Sequence, residues 1–363
     1  MFLLASGLGQ AANEWHTFTS TDGRKTEARI LSVESTFALV ELKANGRHVP
    51  VNFRTLTNAD QEFLKNYRTG SGATPSKGAT PEPTPGTTPD KVPADAAADD
   101  TTPGGEPTAR HLYPRTRKEI QDGIREIEKR PRPPGLSKQV AEATNKLNIY
   151  RFLCGVPANV KGDPECSAAA EDAALACKKN GELSHALGHS TGDCNISHMG
   201  NVVASVSQYI EDSGSSNRDV RGHRGWCLNP PMGKVGFGSG GDSYSAMWCM
   251  DSSGKSIRGT WAYPGKGLFP LEYVHGSAWS LYGAGNPGSV DKLKVEMFKL
   301  SKRPDGQLPS SGEIPGHEIK INHVSLGMNN AINFEPAEPA KHGIYWVRVK
   351  GPGIHEGYVV ELY

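Results

Sequence analysis

The segments Lys234-Val235-Gly236-Phe237-Gly238 and Tyr244-Ser245-Ala246-Met247-Trp248 decide the fold class of the central part of this chain. Both follow a period of two, which is the pattern of a β-strand. They look like strands of one antiparallel sheet. Together with the helical patterns that precede them, they predict an α+β unit in which helices pack against that sheet.

Four helical patterns precede these strands. An apolar stripe covers 120–127, a second helix runs from the capping residue Ser137 to about Leu153, an Ala-rich stretch over 167–180 stops at Gly181, and a fourth pattern covers 202–210. The residues after about 259 show no helical pattern. Five short strand-like segments recur there between Gly and Pro turns, and they predict a β-sandwich-like C-terminal domain over 259–363.

The N-terminal residues divide into three parts. Residues 14–68 contain two strand-like runs, the hairpin signal Asn45-Gly46, and a short helix in which Phe63, Leu64 and Tyr67 share one face. Residues 69–109 are rich in Pro, Thr, Gly, Ala and Asp and lack aromatic residues, so we expect a disordered linker. Residues 1–13 are apolar with small residues at the end, which indicates a signal-peptide remnant or a disordered tail.

Charge and hydropathy exclude two classes of function. The chain of 363 residues has 40 Lys and Arg against 39 Asp and Glu, a formal net charge of +1. A large nucleic-acid-binding surface needs an excess of positive charge, so we expect no nucleic-acid partner. A membrane-spanning helix needs about 18 consecutive apolar residues, and no run in the chain resembles one, so we expect no transmembrane segment.

All six cysteines lie between Cys154 and Cys249. An even number confined to one segment predicts disulfides formed in an oxidising compartment, which places the protein outside the cell, in the periplasm or in the envelope. A structural zinc site is the alternative, but no Cys-x-x-Cys pair supports it. Short sequence separations give the simplest pairing, which is Cys154–Cys166, Cys177–Cys194 and Cys227–Cys249.

Residues 14–68 resemble the Sla-type homology domain, a small SH3-like all-β barrel. The resemblance rests on Trp15, on the run Thr21-Asp22-Gly23-Arg24-Lys25-Thr26-Glu27-Ala28, on Val40-Glu41-Leu42 with Asn45-Gly46, and on residues 56–64 with Asp60. Such domains bind protein partners in eukaryotic adaptors. The resemblance therefore implies a protein-interaction or wall-facing module without chemistry of its own.

A second resemblance covers residues 144–249, within a domain that we place at 110–258. These residues are similar to the CAP superfamily, the domain of cysteine-rich secretory and pathogenesis-related proteins, whose fold is an α-β-α sandwich and whose members are usually secreted. The matching pieces occur in order: Leu147-Asn148-Ile149-Tyr150-Arg151, Gly155-Val156-Pro157, Gly181-Glu182-Leu183-Ser184-His185, Asn195-Ile196, Tyr209-Ile210-Glu211-Asp212-Ser213-Gly214 with Asn217, Gly222-His223-Arg224-Gly225-Trp226, Leu228-Asn229-Pro230 and Val235-Gly236-Phe237-Gly238.

The CAP resemblance implies a cleft lined by two histidines and two acidic residues, which in some members holds a divalent metal. His185 and His223 match the histidines and Glu211 matches one acidic residue, whereas Cys194 stands where the other carboxylate is expected. Two imidazoles and one carboxylate can hold zinc with water as a further ligand, but we expect weaker binding than in a full set. Alternatively, the histidines only hydrogen-bond neighbouring backbone. His189 and His198 could add ligands.

Acyl-transfer chemistry has little support in the sequence. No Gly-x-Ser-x-Gly motif is present, and Ser184 is merely adjacent to His185. The Gly-rich run 236–241 lacks a following helix, so we interpret it as a turn rather than a phosphate-binding loop. The sequence thus favours a non-catalytic binding protein with a protein, cell-wall or small lipid ligand, and a metal-dependent hydrolase is the alternative.

Limited proteolysis tests the expected linker. Exposed backbone without hydrogen-bond partners opens at almost no cost in free energy, so proteases should cut within 69–109 first. A stable fragment should start near Arg110 and be identified by N-terminal sequencing and mass. A full-length chain that resists digestion would contradict a disordered linker.

Overall fold

The structure, a computed structural model, describes residues 14–20, 23–33, 37–44, 48–52, 56–70, 109–214 and 217–363. Seven α-helices lie in this part of the chain: α1 (Asn58–Gly70), α2 (Arg117–Glu128), α3 (Lys138–Leu153), α4 (Pro164–Asn180), α5 (His189–Gly192), α6 (Val202–Glu211) and α7 (Gly222–Cys227).

The strands of the described residues form four sheets, so the chain is a mixed α+β protein. The first nine strands are β1 (His16–Thr19), β2 (Lys25–Val33), β3 (Phe37–Leu42), β4 (His48–Asn52), β5 (Lys161–Gly162), β6 (Cys194–Ser197), β7 (Lys234–Ser239), β8 (Ser245–Trp248) and β9 (Trp261–Tyr263). The remaining strands are β10 (Gly267–Phe269), β11 (Trp279–Tyr282), β12 (Lys294–Leu300), β13 (His317–Ile319), β14 (Ile321–Leu326), β15 (Ile332–Pro336), β16 (Gly343–Gly351) and β17 (Ile354–Leu362).

The N-terminal unit is an antiparallel sheet in the order β1-β2-β3-β4, followed by α1. Phe18, Val40, Leu56 and Leu64 are buried together in its core. The carboxylate of Asp60 accepts hydrogen bonds from the Thr19 backbone and the Thr57 hydroxyl, which ties the start of α1 to the sheet. Helix α1 extends through residues 69–70 of the predicted linker. Residues 71–108 of that linker, the Asn45-Gly46 turn and residues 1–13 lie outside the described residues, and Ala109 is described.

The second unit has three layers around the sheet β5-β7-β8-β6. Helix α4 covers one face, where its alanines pack with Ile196 and Ala246 in one hydrophobic cluster. On the other face, Phe237 of β7 and Met247 of β8 pack with α3 and α6 in a separate cluster. Both strands predicted from the opening segments are present and antiparallel. Helices therefore pack on both faces of the sheet.

Glycines of β7 bring α4 unusually close to the sheet. A Cβ atom added at Gly236 would lie 2.0 Å from the backbone carbon of Cys166, and one at Gly238 would lie 2.0 Å from the backbone nitrogen of Glu171. At Gly240 it would lie 2.5 Å from the carbonyl oxygen of Ala174. The predicted turn over 236–241 is thus a strand as far as Ser239, and its glycines make room for a helix backbone.

The helix ends agree with the residues that cap them. Ser137 accepts a hydrogen bond from the backbone of Val140 at the start of α3, as predicted. Helix α4 ends at Gly181, which has the left-handed φ of 71°. This helix begins three residues before the predicted start because Asp163 caps it and Pro164 fits its first position.

The C-terminal residues form two sheets that face each other, in the orders β10-β17-β16-β12-β13 and β14-β15-β11-β9. All five strand-like segments of the sequence are strands. Trp279 of one sheet lies 5.7 Å from Tyr345 of the other, ring centroid to ring centroid. A single hydrophobic cluster runs from Leu112 through α3 and α6 to Leu362, so the second unit and these sheets share one core.

The six cysteines have free thiols in the structure. The predicted bridges Cys154–Cys166, Cys177–Cys194 and Cys227–Cys249 are therefore not formed in it. The amide of Asn195 lies between two of the thiols: its nitrogen is 3.9 Å from Cys227 Sγ and its oxygen 3.7 Å from Cys249 Sγ. Pairing by short sequence separation cannot anticipate such an intervening side chain.

Among the helices that the structure describes, none combines the length and the hydropathy that a membrane-spanning helix needs.

Replacing Gly238 by alanine tests the close approach of α4 and β7. The added Cβ would meet helix backbone, so we expect the free energy of unfolding to fall by at least about 2 kcal/mol, as overpacked cores typically do. Gly306→Ala is the control because no atom lies within 4 Å of its added Cβ. Urea denaturation measures both variants. Equal stabilities of the two variants would contradict the close packing.

Candidate functional site

Two histidines that are 38 positions apart in the sequence converge at one edge of the central sheet. The ring centroids of His185 and His223 lie 6.2 Å apart, with the ring planes tilted by 52°. His185 lies in the loop that follows α4, and His223 lies in the first turn of α7. The CAP resemblance implied this pairing, and the structure brings the two rings together.

The imidazole of His185 is fixed by a backbone carbonyl. Its Nδ1 lies 2.8 Å from the carbonyl oxygen of Thr191, and a carbonyl can only accept, so Nδ1–H is the donor. The neutral ring therefore carries its lone pair on Nε2. Burial lowers the pKa of His185 and the nearby His223 lowers it further, although the Thr191 carbonyl acts in the opposite direction. This ring is thus held in the neutral form that binds metals or accepts protons.

The Nδ1 atom of His223 lies next to a carboxylate, just as Nδ1 of His185 lies next to a carbonyl. Its Nδ1 lies 3.1 Å from Oδ1 of Asp212 and 3.2 Å from the side-chain amide nitrogen of Asn217. The carboxylate favours a proton on this nitrogen, whereas the Asn217 amide N–H can donate to it only when it carries no proton, so the contacts of His223 allow either tautomer. Tyr209 packs edge-on against the ring at 5.6 Å, and the Asn195 amide donates to the His223 carbonyl.

Asp212, and not Glu211, is the carboxylate that contacts His223. Asp212 follows the last residue of α6 and takes a left-handed conformation with φ 48° and ψ 44°. Its Oδ2 accepts the backbone N–H of Arg224 at 3.2 Å. Burial alone would raise the pKa of Asp212, but His223 and this N–H hold it below the usual value. The carboxylate therefore stays ionised beside the ring.

The predicted acidic residue Glu211 has a different environment. Its carboxylate accepts a hydrogen bond from the Ser213 hydroxyl at 2.8 Å, and its side chain lies against Gly276. A left-handed residue after a helix turns the chain sharply, so Glu211 and Asp212 point in different directions. The sequence signal for Asp212 was the pair Ser213-Gly214 after the helical pattern, which marks a helix end where Asp tolerates positive φ.

Cys194 lies on the opposite face of the sheet from this contact. It packs with Cys177 and the alanines of α4, whereas its neighbour Asn195 reaches His223. Alternate residues of a strand point to opposite faces, which explains the difference. The position at which the resemblance led us to expect a carboxylate is therefore buried in a hydrophobic cluster and does not face His223.

The C-terminal sheets hold the segment that carries His223. Glu335 of β15 accepts bidentate hydrogen bonds from Arg218, at 2.7 and 3.2 Å, and a further one from the buried Arg221 at 2.6 Å. Asp219 contacts His323 through its carboxylate, at 2.7 Å, and its carbonyl accepts from Asn333 at 2.9 Å. The position of His223 therefore depends on residues more than 100 positions away.

The protein ligands that this site could offer to a metal ion are the imidazoles of His185 and His223. No group of three or more His, Cys, Asp or Glu side chains in the described part of the chain is arranged to hold a metal ion. With Zn–N bonds of about 2.0–2.1 Å, one zinc ion places two ring centroids on the order of 5–6 Å apart. The observed 6.2 Å is close to that range. The exposed His198 packs on Tyr244, and the side chain of His189 lies outside the described atoms.

The described residues offer no activated nucleophile at this site. The hydroxyl of Ser184 accepts the backbone N–H of Ala186, and no contact joins it to His185. Burial raises the pKa of Cys154 to about 12 and raises that of Cys194 well above its usual value, so these thiols stay protonated at neutral pH.

Comparisons of the chain with protein-family models, with curated proteins and with solved structures gave no match.

The buried neutral state of His185 predicts a stability that depends on pH. Because the pKa of His185 is lower in the folded protein than its ordinary value of 6.5, the unfolded chain takes up the proton first as the pH falls. The free energy of unfolding should therefore decrease between about pH 7.5 and about pH 5.5.

Urea denaturation of His185→Gln at both pH values tests this expectation. The decrease should be smaller in His185→Gln than in the parent. His198→Gln is the control, because His198 is exposed, and should keep the parent's decrease. An identical decrease in all three proteins would show that the folded and unfolded states protonate His185 equally.

Proposed function

We propose that the chain is a secreted or envelope-associated binding protein whose second unit is a CAP-like α-β-α sandwich. Three observations support this. Helices pack on both faces of the sheet β5-β7-β8-β6, the pieces that resemble the CAP superfamily recur in order, and His185 and His223 meet at the sheet edge. The C-terminal sheets act in this proposal as a β-sandwich-like extension that supports the site.

The convergence of the two imidazoles is the observation that carries the proposal. Both rings are contacted through Nδ1, His185 by a carbonyl and His223 by the Asn217 amide and the Asp212 carboxylate. The Nε2 of His185 then presents a lone pair to a ligand, and a buried, ionised Asp212 balances positive charge at His223. A site of this kind binds a divalent cation or a hydrogen-bond donor without any covalent step.

A binding role agrees better with the site than catalysis does. Acyl transfer needs a nucleophile beside a base, and the described residues at this site do not bring the two together. The alternative is a metal-dependent hydrolase that uses His185, His223 and an acidic residue, with zinc as Lewis acid. The spacing of the two rings favours this alternative, and the small number of protein ligands argues against it.

The N-terminal unit supports an interaction role in the same proposal. We assign it as an SH3-like module of the Sla type on the basis of its four-stranded meander and its packed helix. Trp15 and Phe63 are 41% and 37% exposed, and His16 stacks on Phe63 at 3.9 Å. Exposed aromatic side chains of this kind are enriched at protein interfaces. Its partner would be a protein or wall component.

Zinc titration tests the shared site. Isothermal titration calorimetry of the full chain at about pH 7.5 should show weak zinc binding that weakens as the imidazoles protonate near pH 6.5 or below. His185→Ala and His223→Ala should each weaken it at least tenfold. His198→Ala, which removes an exposed histidine, should bind zinc as the parent does. Equal affinity in all four proteins would make His185 and His223 structural.

A second measurement separates binding from hydrolysis. Ester and peptide substrates incubated with the zinc-loaded chain should give no turnover above free zinc under the binding proposal. Turnover that disappears in both His185→Ala and His223→Ala would overturn it in favour of the hydrolase. Turnover that survives in both variants would be a contaminant and would leave the result of the zinc titration to decide.

A further inference from the structure

A cavity of about 370 Å³ lies where the second unit meets the C-terminal sheets. The segment after α7, the loop before β9, the turn after β11 and the turn between β14 and β15 all line it. Its volume falls in the range of about 300–1,000 Å³ that small-molecule sites occupy. His185, Asp212 and His223 are not among its lining residues, so the cavity is separate from the imidazole site.

The lining combines apolar side chains, such as those of Pro231 and Ile257, with polar ones, and it carries no charge. Its side-chain groups that can hydrogen-bond a ligand are the amides of Asn229, Asn329 and Asn330 and the hydroxyl of Ser256, and the ring of Trp261 also lines it. None of the described lining residues is Asp, Glu, Lys, Arg or His. A charged ligand would lose hydration here without a counter-charge to replace it, so the lining excludes anions and cations.

Several of these polar groups have no partner in the described part of the protein. The amides of Asn229 and Asn329 are half-buried, and neither makes a side-chain hydrogen bond there. The indole nitrogen of Trp261 also lacks a hydrogen-bond acceptor among these residues, but it is fully buried, so a ligand in the cavity does not reach it. A lipid chain in the cavity would leave the amides without partners at about 1–3 kcal/mol each. A ligand with hydroxyl groups would supply both donors and acceptors.

The backbone holds these groups in place. Asn329 and Asn330 both take the left-handed φ of 58°, which costs free energy in residues other than glycine. The ring of Trp261 stacks on Tyr282 at 5.5 Å with an angle of 5° between planes. Gly283 lets this ring approach, since an added Cβ would lie 2.8 Å from it. One face of the indole is thereby fixed against Tyr282, and Trp261 also lines the cavity.

We propose that this cavity binds a neutral saccharide. The apolar face of a sugar ring packs on an aromatic ring, and its hydroxyl groups match amides that both donate and accept. Uncharged amides beside a single indole recognise this chemistry better than they recognise an ion or a lipid. This inference goes beyond the proposed function and does not depend on the imidazole site.

Calorimetry with four neutral tetrasaccharides tests the inference: cellotetraose, chitotetraose, maltotetraose and xylotetraose. At least one should bind the full chain with a dissociation constant of about 1 mM or below, and tetragalacturonate, which is charged, should bind more weakly than that one. Asn229→Ala and Asn329→Gly should each weaken binding at least tenfold. Asn329→Gly keeps the left-handed backbone, and thermal melts confirm that both variants are folded.

Asn322→Ala is the matched control, because Asn322 is an exposed asparagine of β14 that does not line the cavity. It should bind the tetrasaccharide as the parent does, and so should His185→Ala, which separates this result from the zinc titration. Three outcomes would overturn the inference. They are no binding of any neutral tetrasaccharide, unchanged affinity in both cavity variants, and tighter binding of tetragalacturonate.

Discussion

The close approach of α4 to β7 is the constraint on which the arrangement of the second unit depends. Any side chain at Gly236 or Gly238 would overlap the backbone of the helix. The side chains of α4 that face the sheet are alanines, which are small enough to be buried there at this short distance. Large apolar side chains are thereby confined to the other face, where Phe237 joins the core that α3, α6 and the C-terminal sheets share.

This constraint also places the first histidine. With α4 fixed on the sheet, its end at Gly181 determines where the following loop starts. That loop returns to the sheet at β6, and on the way the Thr191 carbonyl fixes His185. His223 is placed by a different set of contacts, since Glu335 of the C-terminal sheets holds Arg218 and Arg221. The imidazole pair therefore depends on the packing of both units.

Local sequence patterns predicted much of the fold, whereas the pairing of His185 with His223 followed from the CAP resemblance and not from a local pattern. Periods of two and of 3.6 found the principal strands and helices, and the caps at Ser137 and Gly181 set helix ends. Strands of two or three residues, such as β5 and β9, have no period to detect. Asp212 rather than Glu211 contacts His223 because the chain turns sharply at one left-handed residue after α6. A periodic sequence pattern does not show the direction of such a turn. All six cysteines have free thiols in the structure, so the predicted bridges are absent from it.

Two buried arginines explain how α7 can serve both the imidazole site and the cavity. Arg224 donates to the carbonyls of Ile210, Glu211 and Ala278, and so fixes the α7 segment against α6 and β11. Arg151 of α3 donates to the carbonyls of Cys227, the last residue of α7, and of Asn229 and Pro230, which follow it. Both guanidiniums are fully buried, and their hydrogen bonds offset part of the cost of desolvation.

The guanidiniums of Arg151 and Arg224 bind backbone carbonyls and therefore fix the main chain rather than side chains. A helix of six residues has little stability of its own, since nucleation is unfavourable and few hydrogen bonds follow it. Anchoring the backbone on both sides of α7 fixes His223 near its start and Asn229 just beyond its end, while leaving both side chains available. The same short helix therefore carries the His223 imidazole and lies next to Asn229, whose amide lines the cavity.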